Sequence, residues 1–285
     1  MTFKGTLIPI GGNEDKGLDE SENYTLDYIA DGILSHVVRE AGGPNANIVI
    51  VPSASSIPVE VADAYLSAFS ALGCTNLKVA NIRSKADSNK KEHIEMFEKA
   101  DAIMFSGGDQ RRIVKFIGGT KLHDILRDRY QNEDFVVAGT SAGAMAMSQE
   151  MVAGGSSQES LLKGAVIMQN GLGLIPGLVI DTHFIKRGRF GRLAEAGAIH
   201  PTLLGLGLAE DTGIIIKNGN EFRVIGSGMV ILFDPSGLTH NTHAELPKGT
   251  PISMSNLVVH ILANNDFFTI DDRKIKIAHL QDGMI

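Results

Sequence analysis

Residues 135–148 read FVVAGTSAGAMAMS, and this stretch decides what kind of sheet the chain builds. An apolar run at 135–138 ends in Gly139-Thr140-Ser141-Ala142-Gly143 and passes directly into an Ala/Met-rich segment. The pattern predicts a buried strand that turns sharply into a helix, with glycines that let the two elements approach closely. A serine at such a turn is either a helix cap or an exposed nucleophile, and the stretch alone leaves both interpretations open.

Short apolar runs like this one alternate with helical patterns through the first two thirds of the chain. The predicted strands are residues 6–10, 47–51, 77–80, 102–105 and 135–138, and the predicted helices are residues 27–40, 59–72, 90–99 and 110–129. Strand and helix in alternation predict right-handed crossovers and a mostly parallel sheet with helices on both faces. The fold class is therefore α/β, and we expect ligands at the carboxyl ends of the strands.

After about residue 205 the pattern changes to short strand-like runs at 213–217, 221–225 and 229–233. The turn Asn218-Gly219-Asn220 between two such runs predicts a hairpin. No Pro/Ser-rich linker interrupts the chain. We therefore predict a single domain over residues 1–285, in which residues 205–285 form an antiparallel extension of the same domain.

The composition bounds the classes of function. The 285 residues are 43% hydrophobic and carry a net charge of -7, which argues against a general nucleic-acid surface. The sequence has neither a signal segment nor an apolar run long enough to span a membrane, so we expect a cytoplasmic protein without a membrane partner, and a homodimer is a further hypothesis. Cys74 is the single cysteine, and HExxH, CxxC and Walker A motifs do not occur, so we expect no metal and no cofactor.

A nucleophilic Ser141 needs a base and a carboxylate elsewhere in the chain. His183 follows the apolar run 178–180 and opens a polar, basic segment, which is typical of an active-site base at a strand end. Glu210 and Asp211 end another apolar run, where an ordinary acidic turn is the alternative interpretation. The order Ser, His, acid differs from that of α/β-hydrolases, but geometry and not order defines a triad.

Glycines at the end of the strand at 102–105 predict a site for an oxyanion. The N–H groups of Gly108 and Ala142 would make a two-donor site, although a glycine turn for chain reversal is the alternative. We interpret Asp109 as the cap of the next helix, and we count both Asp109 and Gln110 among the candidate substrate contacts.

Three arginines follow the candidate base in an otherwise acidic protein. Arg187, Arg189 and Arg192 form either a solvated basic face or a wall of the pocket that binds substrate carboxylates.

Five motifs occur in an order that resembles the cyanophycinases. They are GGNEDK at 11–16, SGGDQ at 106–110, GTSAGAM at 139–145, DTHF at 181–184 with the three arginines, and GLAEDT at 207–212. The resemblance covers residues 5 to about 235. It implies the flavodoxin-like fold that this family shares with peptidase E and the class I glutamine amidotransferases, whose turn carries Cys where this chain has Ser141.

The resemblance also implies roles for individual residues. Ser141 would be the nucleophile, His183 the general base and Glu210, ahead of Asp211, the acid that orients the histidine. The substrate would be cyanophycin, a polyaspartate backbone with arginine on each side-chain carboxylate, cleaved to β-aspartyl-arginine. A peptidase E-like aspartyl dipeptidase and a non-catalytic binding module are the alternatives.

One motif residue departs from the family pattern. Cyanophycinases usually have Gln in the motif where this chain has Thr182. The resemblance places Asp181 and Thr182 among the substrate contacts, and the Thr182 hydroxyl has a shorter reach than a Gln amide.

Overall fold

The structure, a computed structural model, describes residues 3–17, 26–157 and 159–278. The helices are α1 Ile33–Glu40, α2 Pro58–Ala71, α3 Lys91–Lys99, α4 Gln110–Ile117, α5 Lys121–Asn132, α6 Ala142–Met145 and α7 Phe190–Ile199. The strands are β1 Thr6–Ile10, β2 Ile48–Val51, β3 Leu77–Val79, β4 Ala102–Phe105, β5 Val136–Thr140, β6 Glu150–Gly155, β7 Val166–Asn170, β8 Leu178–Asp181, β9 Leu204–Leu208, β10 Thr212–Lys217, β11 Glu221–Gly226, β12 Val230–Asp234, β13 His240–Asn241, β14 Met254–Ser255, β15 Val258–Leu262, β16 Phe267–Thr269 and β17 Lys274–Lys276.

The described residues contain a nine-stranded sheet in the order β17-β16-β11-β10-β1-β5-β4-β2-β3. The five strands from β1 to β3 in this order run parallel, as the sequence predicts. The block β3-β2-β4-β5 has the 2-1-3-4 order of flavodoxin-like sheets, and the N-terminal strand β1 occupies the fifth place. The fold is therefore α/β with a parallel core, and the predicted fold class is confirmed.

Residue alternation explains why the parallel strands are buried on both faces. In β2, Val49 and Val51 pack with the core under α3 to α5, whereas Ile48 and Ile50 pack with the core under α1 and α2. Every residue of this strand is buried. A strand covered on both sides reads as a continuous apolar run, which is the signal that predicted it.

Antiparallel strands extend the sheet beyond β1, as predicted for the C-terminal part of the chain. Strand β10 pairs with both β1 and β11, and the turn between β10 and β11 has φ angles of 55° at Asn218 and 68° at Gly219. The predicted hairpin is therefore confirmed. That the extension belongs to a single domain over residues 1–285 stays a prediction, and residues 279–285 lie outside the described residues.

Other boundaries differ from the prediction. The helix predicted at 110–129 is two helices, α4 and α5, because Gly118 and Gly119 interrupt it. The helix predicted at 27–40 begins only at Ile33. Strand β9 lies in a second sheet with the order β15-β12-β9-β8, and its pairing with β8 is parallel, so the region after residue 205 is not antiparallel throughout.

The carboxyl ends of β1, β4 and β5 meet at one edge of the parallel block, and β8 and β9 end close to them. Two backbone hydrogen bonds hold the residues after β8 and β9 beside the loop after β1: His183 N–H donates to Gly11 O at 2.8 Å, and Asp211 N–H donates to Gly12 O at 2.9 Å. Among the described residues, no helix combines the length and the apolar character needed to cross a bilayer.

Candidate active site

Ser141 lies at the sharp turn between β5 and α6. Its backbone has φ 50° and ψ -109°, a left-handed region that residues with a side chain rarely adopt. Its N–H donates to Ile10 O at 2.8 Å, which ties the turn to β1. A Cβ on Gly143 would lie 2.6 Å from Phe105 O, so only glycine lets α6 approach β4. The tight strand-to-helix turn predicted from the sequence is confirmed.

The imidazole of His183 connects Ser141 to Glu210. His183 Nε2 lies 3.1 Å from Ser141 Oγ, and Nδ1 lies 2.7 Å from Glu210 Oε1. The backbone of His183 also has a positive φ, 47°. A Cβ on Gly12 would lie 2.5 Å from the imidazole ring, so this glycine makes room for the ring.

Of the two neighbouring acids, Glu210 is the one that contacts the histidine. Its second oxygen, Oε2, lies 3.0 Å from Lys186 Nζ. The carboxylate of Asp211 instead accepts from Ser227 Oγ at 2.5 Å and from the N–H of Asp15 at 3.2 Å. The geometry therefore matches the preference for Glu210 over Asp211.

The burial of His183 favours a neutral imidazole. Burial lowers the pKa of His183, the bond to Glu210 opposes this, and the positive charge of Arg187 lowers it further, with a net pKa below the ordinary value. Burial raises the pKa of Glu210, but hydrogen bonds from His183 and Lys186 outweigh burial and leave that pKa below the ordinary value. A neutral base beside an ionised carboxylate is the state in which a histidine can accept a proton from serine.

A cleft of about 350 Å³ opens above Ser141. Ser141 and His183 line it together with Thr140 and Arg187 from their own segments and with residues from three other places: the loop after β1, helix α2 and the glycine turn after β4. The lining residues are Gly12, Asn13, Glu14, Lys16, Val61, Ala64, Tyr65, Gly107, Gly108, Thr140, Ser141, His183 and Arg187.

The glycine turn after β4 lies beside the serine, as an oxyanion site requires. A Cβ on Gly107 would lie 3.4 Å from Ser141 Cβ. Gly108 has φ 137°, and a Cβ there would lie 2.2 Å from Ala54 O. Ala142 follows Ser141 as the first residue of α6. The role of Gly108 and Ala142 as oxyanion donors stays a prediction.

Asp109 and Gln110 are occupied by protein partners. Asp109 caps α4 by accepting from the N–H of Arg111 at 2.9 Å, as predicted, and it also pairs with the guanidinium of Arg111. Gln110 Nε2 donates to Val152 O at 2.8 Å. This bond holds β6 against α4, and the interpretation of Gln110 as a substrate contact stays a prediction. Asp109 is partly exposed, and its role as a substrate contact also stays a prediction.

Asp181 and Arg192 form a buried ion pair. Arg192 donates through Nε to Oδ2 at 2.7 Å and through NH2 to Oδ1 at 2.6 Å, and the Asp181 side chain is 0% exposed. Arg189 donates to the same Oδ1 at 2.9 Å and to Thr182 O at 2.6 Å. Neither Asp181 nor Arg192 reaches the cleft, so their interpretation as direct substrate contacts is corrected.

Thr182 and Arg187, which lie in the same segment, differ in burial. Thr182 is fully buried, and its hydroxyl lies 3.4 Å from Met145 Sδ, so it is not a substrate contact in this structure. Arg187 is exposed and lines the cleft. Of the three arginines, Arg187 is therefore the one placed to meet a ligand beside Ser141, whereas Arg189 packs against Asp181.

Sequence reasoning missed a group of polar residues under the cleft. Glu14 is buried, and its carboxylate accepts hydrogen bonds from Tyr65 and from Thr140, the latter at 2.6 Å, while Lys16 Nζ lies 3.1 Å from Oε1. The motif GGNEDK contains Glu14 and Lys16, but nothing in the sequence connects them with Tyr65 on α2. Only the folded sheet brings these residues together.

The chain is similar to known proteins over most of its length. Residues 24–225 match the family model described as Peptidase family S51. A cyanophycinase of Geminocystis herdmanii is 36% identical over 264 residues, which cover 93% of each chain, and one of Trichormus variabilis is 34% identical over 95% of this chain and 88% of that protein.

A solved structure shares the fold. The crystal structure of a peptidase from an acI-B1 actinobacterium has a TM-score of 0.61 and 20% identity, and the match covers 91% of this chain and 98% of that one. Together with the family model and the sequence relatives, this similarity leads to one conclusion. The chain belongs to peptidase family S51.

Proposed function

We propose that the protein is a serine peptidase that hydrolyses cyanophycin to β-aspartyl-arginine dipeptides through an acyl-enzyme. The observation that carries the proposal is the hydrogen-bonded series Ser141–His183–Glu210, of which Ser141 and His183 line a cleft. The relatives named cyanophycinase, 31–36% identical over most of their length, support the choice of substrate.

In the first half of the reaction, Ser141 Oγ attacks the carbonyl carbon of an aspartyl peptide bond while its proton passes to His183 Nε2. Glu210 accepts the Nδ1–H of the imidazole and stabilises the imidazolium. The N–H groups of Gly108 and Ala142 would stabilise the tetrahedral oxyanion. The C–N bond then breaks as the imidazolium gives its proton to the leaving amine, which leaves an ester on Ser141.

In the second half, water attacks the ester carbonyl and His183 takes a proton from it. A second tetrahedral oxyanion forms in the same site and collapses, the bond to Ser141 Oγ breaks, and the imidazolium returns its proton to Oγ. One water molecule is consumed: its hydroxyl ends in the acid product, and its other proton restores the hydroxyl of Ser141. The same three side chains therefore serve both halves.

Incubation of the full chain with cyanophycin tests the proposal. We expect β-aspartyl-arginine as the product, detected by mass spectrometry. Intact polymer together with cleavage of Asp-Xaa dipeptides would favour the peptidase E-like alternative. Intact polymer together with no labelling of Ser141 by a fluorophosphonate would favour the non-catalytic binding module.

The compartment and the assembly state are part of the same proposal. A cytoplasmic location and a homodimer are expected from the sequence, and both are open to direct measurement. Fractionation of the source cells tests the first, and sedimentation velocity tests the second, where the mass of one chain would contradict a dimer.

A further inference from the structure

The loop after β1 contributes a charged wall to the cleft that the proposed mechanism does not use. Glu14 and Lys16 belong to the motif GGNEDK, and both line the cleft that Ser141 and His183 also line. Neither residue contacts the hydrogen-bonded series of Ser141, His183 and Glu210. The proposed mechanism therefore gives them no part in proton transfer.

Glu14 forms the base of this wall. Its side chain is 1% exposed, and three donors surround its carboxylate: the hydroxyls of Tyr65 and Thr140 and the ammonium of Lys16. Burial raises the pKa of Glu14, but Lys16 and the two hydroxyls outweigh burial and leave the pKa below the ordinary value. The carboxylate is therefore ionised, and it holds a positive charge above it.

Lys16 carries that charge to the cleft. Its ammonium lies 3.1 Å from Glu14 Oε1, donates to Glu14 O at 3.2 Å and lies 5.1 Å from the centre of the Tyr65 ring. An ammonium has three N–H donors, and its two contacts with Glu14 leave at least one of them unused by that residue. The side chain is 26% exposed, so the remaining donor is open to a ligand in the cleft.

These contacts make Lys16 a prepared anion-binding group. A free lysine loses rotamer freedom when it binds a ligand, whereas here the contacts with Glu14 and Tyr65 already hold the ammonium in place. The negative partner lies underneath, so the cleft meets the positive end of the pair first. Carboxylates and phosphates are the anions that such a group binds, and cyanophycin offers carboxylates.

We propose that Lys16, held by Glu14, binds the arginine α-carboxylate of the substrate beside Ser141. The inference rests on the proposed function, because arginine in cyanophycin is joined through its α-amino group and keeps its α-carboxylate free. This carboxylate recurs once for every residue of the polymer backbone. Lys16 is therefore a specificity-determining residue that recognises the branch and takes no part in the chemistry.

Two ligands that differ by that carboxylate alone test the inference. β-Aspartyl-arginine and β-aspartyl-agmatine are each added to the full chain, and the concentration that halves the rate of Ser141 labelling by a fluorophosphonate is measured. In the wild-type protein we expect the agmatine compound to need about tenfold more, as for the loss of one hydrogen bond between charged groups. In Lys16→Met we expect this ratio to fall toward one.

A control variant and a second Lys16 variant complete the test. Lys99 is the last residue of α3, is exposed and lies outside the cleft. Lys99→Met should therefore keep the wild-type ratio. Should thermal unfolding show that Lys16→Met is not folded, Lys16→Gln removes the charge and keeps a donor for Glu14.

The possible outcomes distinguish a failure of the Lys16 site from a failure of the proposed function. A wild-type ratio in the Lys16 variants, or equal protection by both ligands in the wild-type protein, overturns the carboxylate site while cleavage of cyanophycin stands. Absence of protection by either ligand together with intact polymer overturns the proposed function and the site with it.

Discussion

Two polar groups that lie two residues apart in one segment have opposite surroundings: an open group around His183 and a buried group around Asp181. His183 faces the cleft and hydrogen-bonds to Ser141, whereas Asp181, two residues earlier, is 0% exposed and pairs with Arg192. Both groups combine a carboxylate with a cationic or basic partner. The difference shows that burial, and not residue type, decides whether a charged side chain acts on the substrate or stabilises the protein.

The buried group has a cost that the open group avoids. An ionised carboxylate taken out of water is unfavourable unless hydrogen bonds replace its hydration. Asp181 Oδ1 accepts from Arg189, from Arg192 and from the N–H of Thr182 at 2.8 Å, so that cost is offset. Because Arg189 also donates to Thr182 O, the cluster fixes the peptide that leads into His183.

The largest expected effect concerns the open group. Ser141→Ala should lower turnover of cyanophycin by about 10³- to 10⁶-fold with the fold retained, because the nucleophile is lost. His183→Ala should act through the same step, so the double variant should be scarcely slower than either single variant. Steady-state kinetics measure this, and circular dichroism checks the fold. Losses that multiply would mean that the two side chains do not work as a unit.

The next effect concerns the buried group. Asp181→Asn leaves two guanidinium groups without their counter-charge, and we expect the free energy of unfolding to fall by about 3–5 kcal/mol. Asp109→Asn is the matched control, because Asp109 also pairs with an arginine through two contacts but on the surface, and it should change the stability far less. Urea denaturation measures both. Equal losses would remove the distinction between the two groups.

Lysine substitutions sharpen the comparison among the arginines. Arg192→Lys loses the two-point contact with Asp181, so the free energy of unfolding should fall by about 1–3 kcal/mol. Arg187→Lys should leave stability unchanged, because its side chain is exposed, and should raise KM for cyanophycin severalfold. Urea denaturation and kinetics on the polymer measure the two effects. The reverse pattern would restore Arg192 as a substrate contact.

The sequence predicted the parallel strands and the serine turn because both depend on local signals. Apolar runs covered on two faces and the small residues around Ser141 are visible in the chain itself. It did not predict that Arg192 is buried and Arg187 exposed, since the two lie five positions apart in one basic segment. It also missed Glu14, because its partners Tyr65 and Thr140 are distant in sequence and meet only through the packing of α2 and β5 against the loop after β1.

The smallest effect tests how the surroundings tune the base. His183 must be neutral to accept a proton from Ser141, so labelling by a fluorophosphonate should decline as pH falls through the pKa of His183. Burial places that pKa below the ordinary value, and we therefore expect the decline below about pH 6.5. The positive charge of Arg187 contributes to the lowering, so Arg187→Gln should move the decline to higher pH. Because Arg187 is exposed, salt should screen its charge, and the difference between wild type and variant should shrink at 1 M salt, where the Debye length is about 3 Å. A decline at the same pH in both proteins at low salt would mean that Arg187 does not affect the pKa of His183, and would confine the role of Arg187 to the substrate.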